Sequence, residues 1–293
     1  QWKKDTDTYV EALCKELLAV SKMYEGKKLQ TIYMGGGTPT SLEGYQLSKI
    51  LNIVKTNFDL SNLLELTVEA GRPDSITREK LEALKAAGVD RISINPQTMQ
   101  QKTLDLIGRH HTIEDIFESY KLARDVGFEN INMDFIIGLN GETLEDVIDS
   151  FTKVKSFAPE SITIHSLALK RAARLNTENK REIMDNDLIL SMINTATDTC
   201  ADLELEPYYL YRQKNMAGNL ENIGFSKPGK ECLYNILIME EKQTIIACGA
   251  GTSSKIVFGD GRIERIETVK DPKLYIERLD EMIMRKESMH GID

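Results

Sequence analysis

An α/β fold, arranged as an open βα barrel followed by a smaller α+β domain, is predicted by three features of this 293-residue sequence. Short β-rich segments alternate with amphipathic helices up to Leu169, which implies right-handed crossovers and a parallel sheet. Two of the units are alike: Lys85-Ala-Ala-Gly-Val-Asp-Arg-Ile-Ser-Ile-Asn95 and Arg124-Asp-Val-Gly-Phe-Glu-Asn-Ile-Asn-Met-Asp134 each end a helix at glycine and enter a strand. Beyond Leu169 the alternation stops.

Taken in order, Val10, Leu13, Cys14, Leu17 and Leu18 recur at helical spacing and predict a first helix. Strands are predicted at Thr31 to Gly35, Glu65 to Ala70, Arg91 to Gln97, Asn130 to Gly138 and Ser161 to Leu169. The stripes Leu47, Ile50, Leu51, Val54 and Val147, Phe151, Val154 mark helices between them. Gly88 and Gly127 suit the position just past a helix, where φ is positive. The barrel is assigned to residues 1–175 and the second domain to 176–293. That domain is predicted to hold a helical stretch from Lys180 to Glu206, the run Tyr208-Tyr-Leu-Tyr211, the apolar Thr244-Ile-Ile-Ala-Cys248, and the segments Lys255 to Phe258 and Arg262 to Ile266. Asp260-Gly261 between the last two reads as a two-residue hairpin turn.

Hydrophobic residues make up 41% and charged residues 28%, so the chain can bury a core. A net charge of −9 opposes non-specific attraction to nucleic acid or anionic membrane. No run of about 18 apolar residues occurs and the start lacks a signal-peptide core, so a cytoplasmic location is expected. Cys14, Cys200, Cys232 and Cys248 are too dispersed for C-x-x-C pairing and are expected to be buried, inert thiols.

In βα barrels chemistry sits at the C-terminal ends of the strands. Those ends carry Gly35-Gly36-Gly37-Thr38, Glu69, Gln97, Asp134 and the segment His165 to Ala168, a polar set that predicts a pocket. Three adjacent glycines imply either a tight turn or a ligand lying against bare backbone. His110 and His111 are adjacent, face different directions and have no partner at ligand spacing, so no metal is assigned to them. His165 suits a cofactor or substrate contact, or a hydrogen-bonded core position.

The ordered series Gly35-Gly-Gly-Thr-Pro-Thr40, Val68-Glu69-Ala70, Ser93-Ile-Asn-Pro-Gln97, Ile107-Gly-Arg109-His110, Asn132-Met-Asp134-Phe-Ile-Ile-Gly-Leu139 and Asn215 to Gly251 resembles the radical S-adenosylmethionine (radical SAM) enzymes of the oxygen-independent coproporphyrinogen III oxidase family. The wording Ile94-Asn-Pro-Gln-Thr-Met99 and Tyr208 to Asn219 resembles its HemZ branch, and the resemblance covers nearly the whole chain. It implies a partial TIM-like barrel of radical SAM type with a C-terminal domain covering the substrate. By that resemblance Gly36 and Gly37 offer peptide groups to the methionine end of S-adenosylmethionine, with the Thr38 hydroxyl beside them. Glu69 engages the amino-acid part and Arg109 pairs with its carboxylate. Gln97 and Asp134 bind the ribose hydroxyls, and Ala168 lies beside adenine. Lys170, Arg171, Arg174 and Arg212 are expected to meet the substrate's propionates, or else to form a solvated face. Gly249-Ala-Gly-Thr-Ser253 is similar to a late glycine segment of the family, read either as a ligand contact or as a loop ending a strand.

The family's chemistry uses a reduced [4Fe-4S] cluster to split S-adenosylmethionine, giving a 5′-deoxyadenosyl radical that takes hydrogen from a propionate. Loss of carbon dioxide and one electron leaves a vinyl group. An electron donor such as flavodoxin or ferredoxin is implied, with a porphyrinogen as substrate. The C-x-x-x-C-x-x-C loop that holds such a cluster does not occur in this sequence, and in the family it precedes the helix with which this chain begins. The expectation is therefore a chain inactive by itself, with its cluster held in the parent protein and one barrel edge open to pairing. Two other readings stand beside this one: a related heme chaperone using the same barrel, and an ordinary barrel enzyme binding phosphate at Gly35 to Gly37.

Overall fold

The computed structural model describes residues 2–166, 186–211 and 222–290. Helix α1 (Trp2–Met23) leads into a parallel series of strands and helices: β1 (Thr31–Met34), α2 (Gly44–Asn57), β2 (Glu65–Gly71), α3 (Arg78–Ala86), β3 (Arg91–Gln97), α4 (Gln101–Leu106), α5 (Ile113–Val126), β4 (Ile131–Ile137), α6 (Leu144–Phe157) and β5 (Ser161–Ser166). After them come α7 (Asn186–Asp202), β6 (Glu206–Tyr211), β7 (Asn222–Ser226), α8 (Leu233–Glu240), β8 (Ser253–Val257), β9 (Ile263–Glu267), α9 (Pro272–Glu277) and α10 (Leu279–His290). One curled seven-stranded sheet runs in the order β1-β2-β3-β4-β5-β7-β6, parallel from β1 to β5 and antiparallel beyond. This is the partial α/β barrel that the alternation predicts.

Helix ends follow local chemistry. Thr112 and Asp115 form a reciprocal capping box at the start of α5, and Thr143 and Asp146 form another at α6. Gly88 and Gly127 adopt φ of 87° and 101°, the left-handed conformation expected just past α3 and α5. Helix α7 closes within the predicted 180–206 stretch: Glu204 turns left-handed at φ 58°, Leu205 N–H donates to the Cys200 carbonyl, and β6 starts at Glu206.

The barrel strands divide their residues by period two. Leu66, Val68 and Ala70, Ile92 and Ile94, Ile131, Met133, Phe135 and Ile137, and Ile162 and Ile164 are all buried against Leu47, Leu51, Leu81, Leu84, Ile116, Val147, Phe151 and Val154 of the helices. The opposite face carries Tyr33, Glu65, Thr67, Glu69, Arg91, Ser93, Asn95, Asn132, Asp134, Thr163 and His165, so the concave side of the sheet is polar. Helix α8 packs against both outermost strands, β1 and β6. Its N-terminus is tied to β2, where the Glu65 carboxylate accepts from the Leu233 N–H at 2.7 Å.

The hairpin expectation is corrected. The turn between β8 and β9 is a three-residue loop: Phe258 N–H donates to the Arg262 carbonyl and Gly261, at φ 84°, donates to the Phe258 carbonyl. Gly259 extends the loop by one residue, so Asp260-Gly261 does not act as a two-residue turn. Thr244 to Cys248 contributes an isolated bridge, Ile245 to Lys255, because the Ser254 and Thr244 side chains take the backbone N–H groups of Ala247 and Val257. The loop Gly249 to Ser253 has its described hydrogen bonds on α1, within its own hairpin and at Val269: Gly249 N–H donates to Glu16 and Ala250 N–H to the Tyr9 hydroxyl. The boundary at 175/176 and the end of the predicted strand at Leu169 lie outside the described residues.

Tyr275 and Met282 from α9 and α10 close over Ala12 of α1. Beneath them Lys286 Nζ meets Glu16 Oε1 at 2.6 Å with side chains 1% and 0% exposed. Tyr275 Oη and Gly249 N–H donate to Oε2 of the same carboxylate at 2.6 and 2.7 Å. A buried charge stripped of its partner typically costs about 3–5 kcal/mol. Lys286→Met should therefore lower unfolding free energy by about that amount in urea titrations, and the double variant Glu16→Gln/Lys286→Met should recover much of it.

Candidate cofactor site at the strand ends

The glycine turn after β1 is anchored from below. Thr40 is buried, its hydroxyl donating to the Ala70 carbonyl and lying 2.6 Å from Ser75 Oγ, while Lys80 Nζ donates to the Thr40 carbonyl at 2.7 Å. Pro39 opens the short 3-10 turn that Thr38 precedes. Thr38 is half-buried over Gly71, whose added Cβ would lie 3.1 Å from Thr38 Cγ2. The three glycines differ in kind. A Cβ at Gly35 would stand 2.5 Å from Tyr33 Cε1 and 3.0 Å from Glu69 Cδ, so a side chain here would require the Tyr33 ring to shift. Gly36, at φ 92°, and Gly37 have no atom within 4 Å of a built Cβ and leave bare backbone exposed.

Glu69 stands on the concave face of β2 beside this turn. Its carboxylate accepts from the Tyr33 hydroxyl and from the Gly36 N–H. Burial holds its carboxyl above the usual range and Asp134 adds to that, while the Tyr33 and Gly36 donors and the Arg91 charge pull the other way. Tyr33 is pushed up in turn, by burial and by the Glu69 charge.

Asp134, on β4, sits among donors. Asn132 Nδ2 reaches its Oδ1 at 2.6 Å, Thr163 adds a hydrogen bond, and His165 Nε2 lies 3.5 Å from Oδ2. Burial would raise its carboxyl, but His165, Asn132 and Thr163 outweigh burial and hold it below the ordinary 3.8. His165 is raised above 6.5: burial disfavours its charge, and Asp134, Glu69 and a hydrogen bond to Asn222 of β7 overcome that. The network continues inward, with Asn132 Nδ2 to Ser93 Oγ at 3.1 Å, Thr163 Oγ1 to Asn132 Oδ1 at 3.1 Å, and Ser93 Oγ to Asn95 Oδ1 at 2.5 Å.

Gln97 ends β3 at a bulge. The β3–β4 register shifts between Ile94 and Gln97, Gln97 pairs with Phe135 next to Asp134, and its φ of 73° is left-handed for a non-glycine residue. Asn95-Pro96 is the local cause, since proline gives no N–H to the ladder. Arg109 follows in the α4–α5 connection, half-buried and without an ion pair to any described residue. The connection is tied down by His111, fully buried, whose Nε2 lies 3.3 Å from the Pro96 carbonyl. Burial lowers the His111 pKa, and no group able to hold a metal occurs among the described residues.

The structure thus brings Gly36, Glu69, Asp134 and His165 into mutual electrostatic reach, and puts Thr38, Gln97 and Arg109 on adjoining strand ends and loops. Ala168, Lys170, Arg171, Arg174 and Arg212 lie outside the described residues. Sequence reasoning passed over Tyr33, Asn132, Thr163 and the buried Arg91, which reaches Ser161 Oγ at 3.2 Å. The polar-apolar alternation in Ser161-Ile-Thr-Ile-His165 and Asn132-Met-Asp134 was the available signal. Bare peptide, an anionic carboxylate and hydrogen-bonding groups at adjacent strand ends fit a cationic amino acid joined to a ribose.

Comparison with known proteins bears on the same residues. The Radical SAM superfamily is matched over residues 2–154. The chain is 46% identical over 256 residues to the oxygen-independent coproporphyrinogen-III oxidase-like protein HemZ of Bacillus subtilis (strain 168), covering 86% of this chain and 51% of HemZ. It is 32% identical over 271 residues to the heme chaperone HemW of the same organism, covering 90% of this chain and 66% of HemW. Among solved structures, coproporphyrinogen III oxidase (HemN) from Escherichia coli shares the fold, with a TM-score of 0.77 over 97% of this chain and 64% of HemN at 20% identity. The chain spans about half the length of HemZ and less than two thirds of HemN.

The Asp134–His165 pair makes a prediction about pH. Its His165 share of stability is complete below the unfolded imidazole value of 6.5 and is lost as pH rises through the higher folded value. Its Asp134 share is complete above 3.8 and is lost as pH falls through the lower folded value. In Asp134→Asn the burial of His165 loses its main opposition, so its pKa by NMR should drop from above 6.5 towards or below it.

Proposed function

Because the chain belongs to the radical SAM superfamily, we propose that its strand ends form an S-adenosylmethionine site serving the oxygen-independent oxidation of coproporphyrinogen III propionates to vinyl groups. One observation carries the cofactor assignment: the half-buried Glu69 carboxylate accepts from the Gly36 N–H of the exposed peptide turn at Gly36 and Gly37, with Asp134 on the same concave face. Glu69 receives the ammonium of the cofactor, the Gly36–Gly37 peptides face its methionine end, and Arg109 pairs with its carboxylate. Gln97 and Asp134 accept from the ribose hydroxyls; Asp134 is kept anionic by His165, so it acts as an acceptor at neutral pH. Thr38 closes the turn beside the methionine end, and Ala168 is assigned to the adenine side. S-adenosylmethionine supplies, when cleaved, the hydrogen-abstracting power that no side chain has.

The cluster is a different matter. The four cysteines are scattered over positions 14, 200, 232 and 248, and no group of His, Cys, Asp or Glu among the described residues suits a metal. These residues do not fit the thiolate set of a [4Fe-4S] cluster. Oxidation of the porphyrinogen is proposed for the whole protein, with Lys170, Arg171, Arg174 and Arg212 meeting its propionates and a flavodoxin- or ferredoxin-type donor supplying electrons. Identity of 46% with HemZ supports that substrate. Identity of 32% with HemW over 90% of the chain favours a second reading, heme binding and transfer without turnover.

Anaerobic incubation of the full-length protein with reductant, S-adenosylmethionine and coproporphyrinogen III distinguishes the two. Appearance of protoporphyrinogen IX supports the oxidase, whereas stoichiometric heme binding with no porphyrinogen consumed supports the chaperone. Under both, Glu69→Gln should weaken S-adenosylmethionine binding by roughly tenfold or more, since a charge-assisted hydrogen bond becomes a neutral one. Unchanged affinity in calorimetry would remove Glu69 from the site.

A further inference from the structure

We propose that Tyr33 is a positioning residue: its hydroxyl, held in place by the stack of its ring on Tyr234, fixes the Glu69 carboxylate to receive the cofactor's ammonium. This inference rests on the S-adenosylmethionine reading above and adds to it a residue pair drawn from both halves of the chain.

Four observations converge on it. First, Tyr33 is the concave-face residue of β1 nearest the glycine turn, and its hydroxyl donates to Glu69 Oε1. Second, its ring lies on that of Tyr234 with centroids 4.2 Å apart and planes 17° from parallel. Third, Tyr234 is in the first turn of α8, which Glu65 ties to β2 through the Leu233 N–H at 2.7 Å and the Tyr234 N–H at 3.4 Å. Fourth, Gly35 is the backbone over which Tyr33 and Glu69 meet: a Cβ there would stand 2.5 Å from Tyr33 Cε1 and crowd the Glu69 carboxyl at 3.0 Å.

These contacts close a loop. Glu65 and Glu69 stand on the same face of β2, four residues apart; the first holds α8, α8 holds the Tyr33 ring, and Tyr33 holds the second. A glutamate side chain has three rotatable bonds, and ordering it costs entropy that a preformed site has already spent. Each carboxylate oxygen accepts two hydrogen bonds. Tyr33 and Gly36 use two of the four positions, so two remain for an ammonium group.

The charge around Glu69 gives a second signature. Asp134 of β4 faces it and opposes its ionisation; Arg91 of β3 and His165 of β5 favour it; Tyr33 of β1 and Tyr234 of α8 complete the surround. Removing the Tyr33 hydroxyl takes away a donor to the ionised form and leaves burial and Asp134 acting on Glu69. The carboxyl then ionises at higher pH.

The test is calorimetry of S-adenosylhomocysteine, which keeps the amino-acid and nucleoside groups and needs no reduced cluster, with the full-length protein across the pH range from the carboxylate region to neutral. Tyr33→Phe keeps the ring and the stack while deleting the donor. It should weaken binding roughly tenfold at the acid end and move the pH of half-maximal affinity upward. Tyr234→Leu, which removes the stack and leaves the hydroxyl, should weaken binding in the same direction by a smaller factor. In a double-mutant cycle the effect of Tyr33→Phe should largely vanish in a Glu69→Gln background. Wild-type affinity and an unmoved pH midpoint in Tyr33→Phe, or losses that add fully with Glu69→Gln, would overturn the inference while leaving the cofactor site standing. A wild-type protein that does not bind S-adenosylhomocysteine overturns both.

Discussion

A parallel sheet that is apolar on its helix side and polar on its concave side is the constraint from which the rest of this structure follows. Ile92, Ile94, Met133, Phe135, Ile162 and Ile164 supply the adhesive surface for the helices. Their neighbours in sequence are thereby forced inward, because successive strand residues point to opposite faces. Closed βα barrels fill that interior with branched apolar side chains. Here it holds Ser93, Asn132, Asp134, Thr163 and His165, and each polar group is bonded to the next. The network is costly to interrupt, since loss of one member leaves a buried partner unsatisfied. The same bonding lowers the Asp134 carboxyl and raises the His165 imidazole against the pull of burial.

Two glutamates show how position on one strand separates roles. Glu65 is nearly buried at the start of β2 and spends both oxygens on α8, accepting from the Cys232 thiol and from the first backbone N–H groups of the helix. Glu69, four residues later on the same face, is raised by burial and keeps accepting capacity at the open end of the sheet. The first joins the later part of the chain to the barrel, and the second faces the turn where a ligand can approach. Their sequence context, Glu65-Leu-Thr-Val-Glu69, contains nothing that distinguishes them.

Helix α8 has an unusual place. It touches β1 and β6, strands at the two extremes of a seven-stranded order, and so lies across the gap that the curled sheet leaves. Tyr234 thereby reaches Tyr33, roughly two hundred residues away in sequence, by a ring stack rather than by strand pairing. Elsewhere the later segments attach to α1: Glu16 gathers Lys286, Tyr275 and Gly249 onto one buried carboxylate.

Much of this architecture is legible in the amino-acid order alone, because the relevant physics is local. Strand positions from β1 to β5, the helices between them and the left-handed glycines at 88 and 127 follow from periodicity and backbone sterics over a few residues. The glycine turn at 35–37 and the polar residues ending β2, β3 and β4 were visible for the same reason. The β8–β9 turn departs from the two-residue expectation because Gly259 lengthens the loop, and loop length selects turn type. What only the tertiary structure decided are the pairings: which acid ties a helix and which faces the site, that Asp134 and His165 stand 3.5 Å apart, and that Tyr33 and Glu69 meet over Gly35. Those outcomes depend on distances between strands and on how far water is excluded, and neither quantity is written in the spacing of residues along one chain.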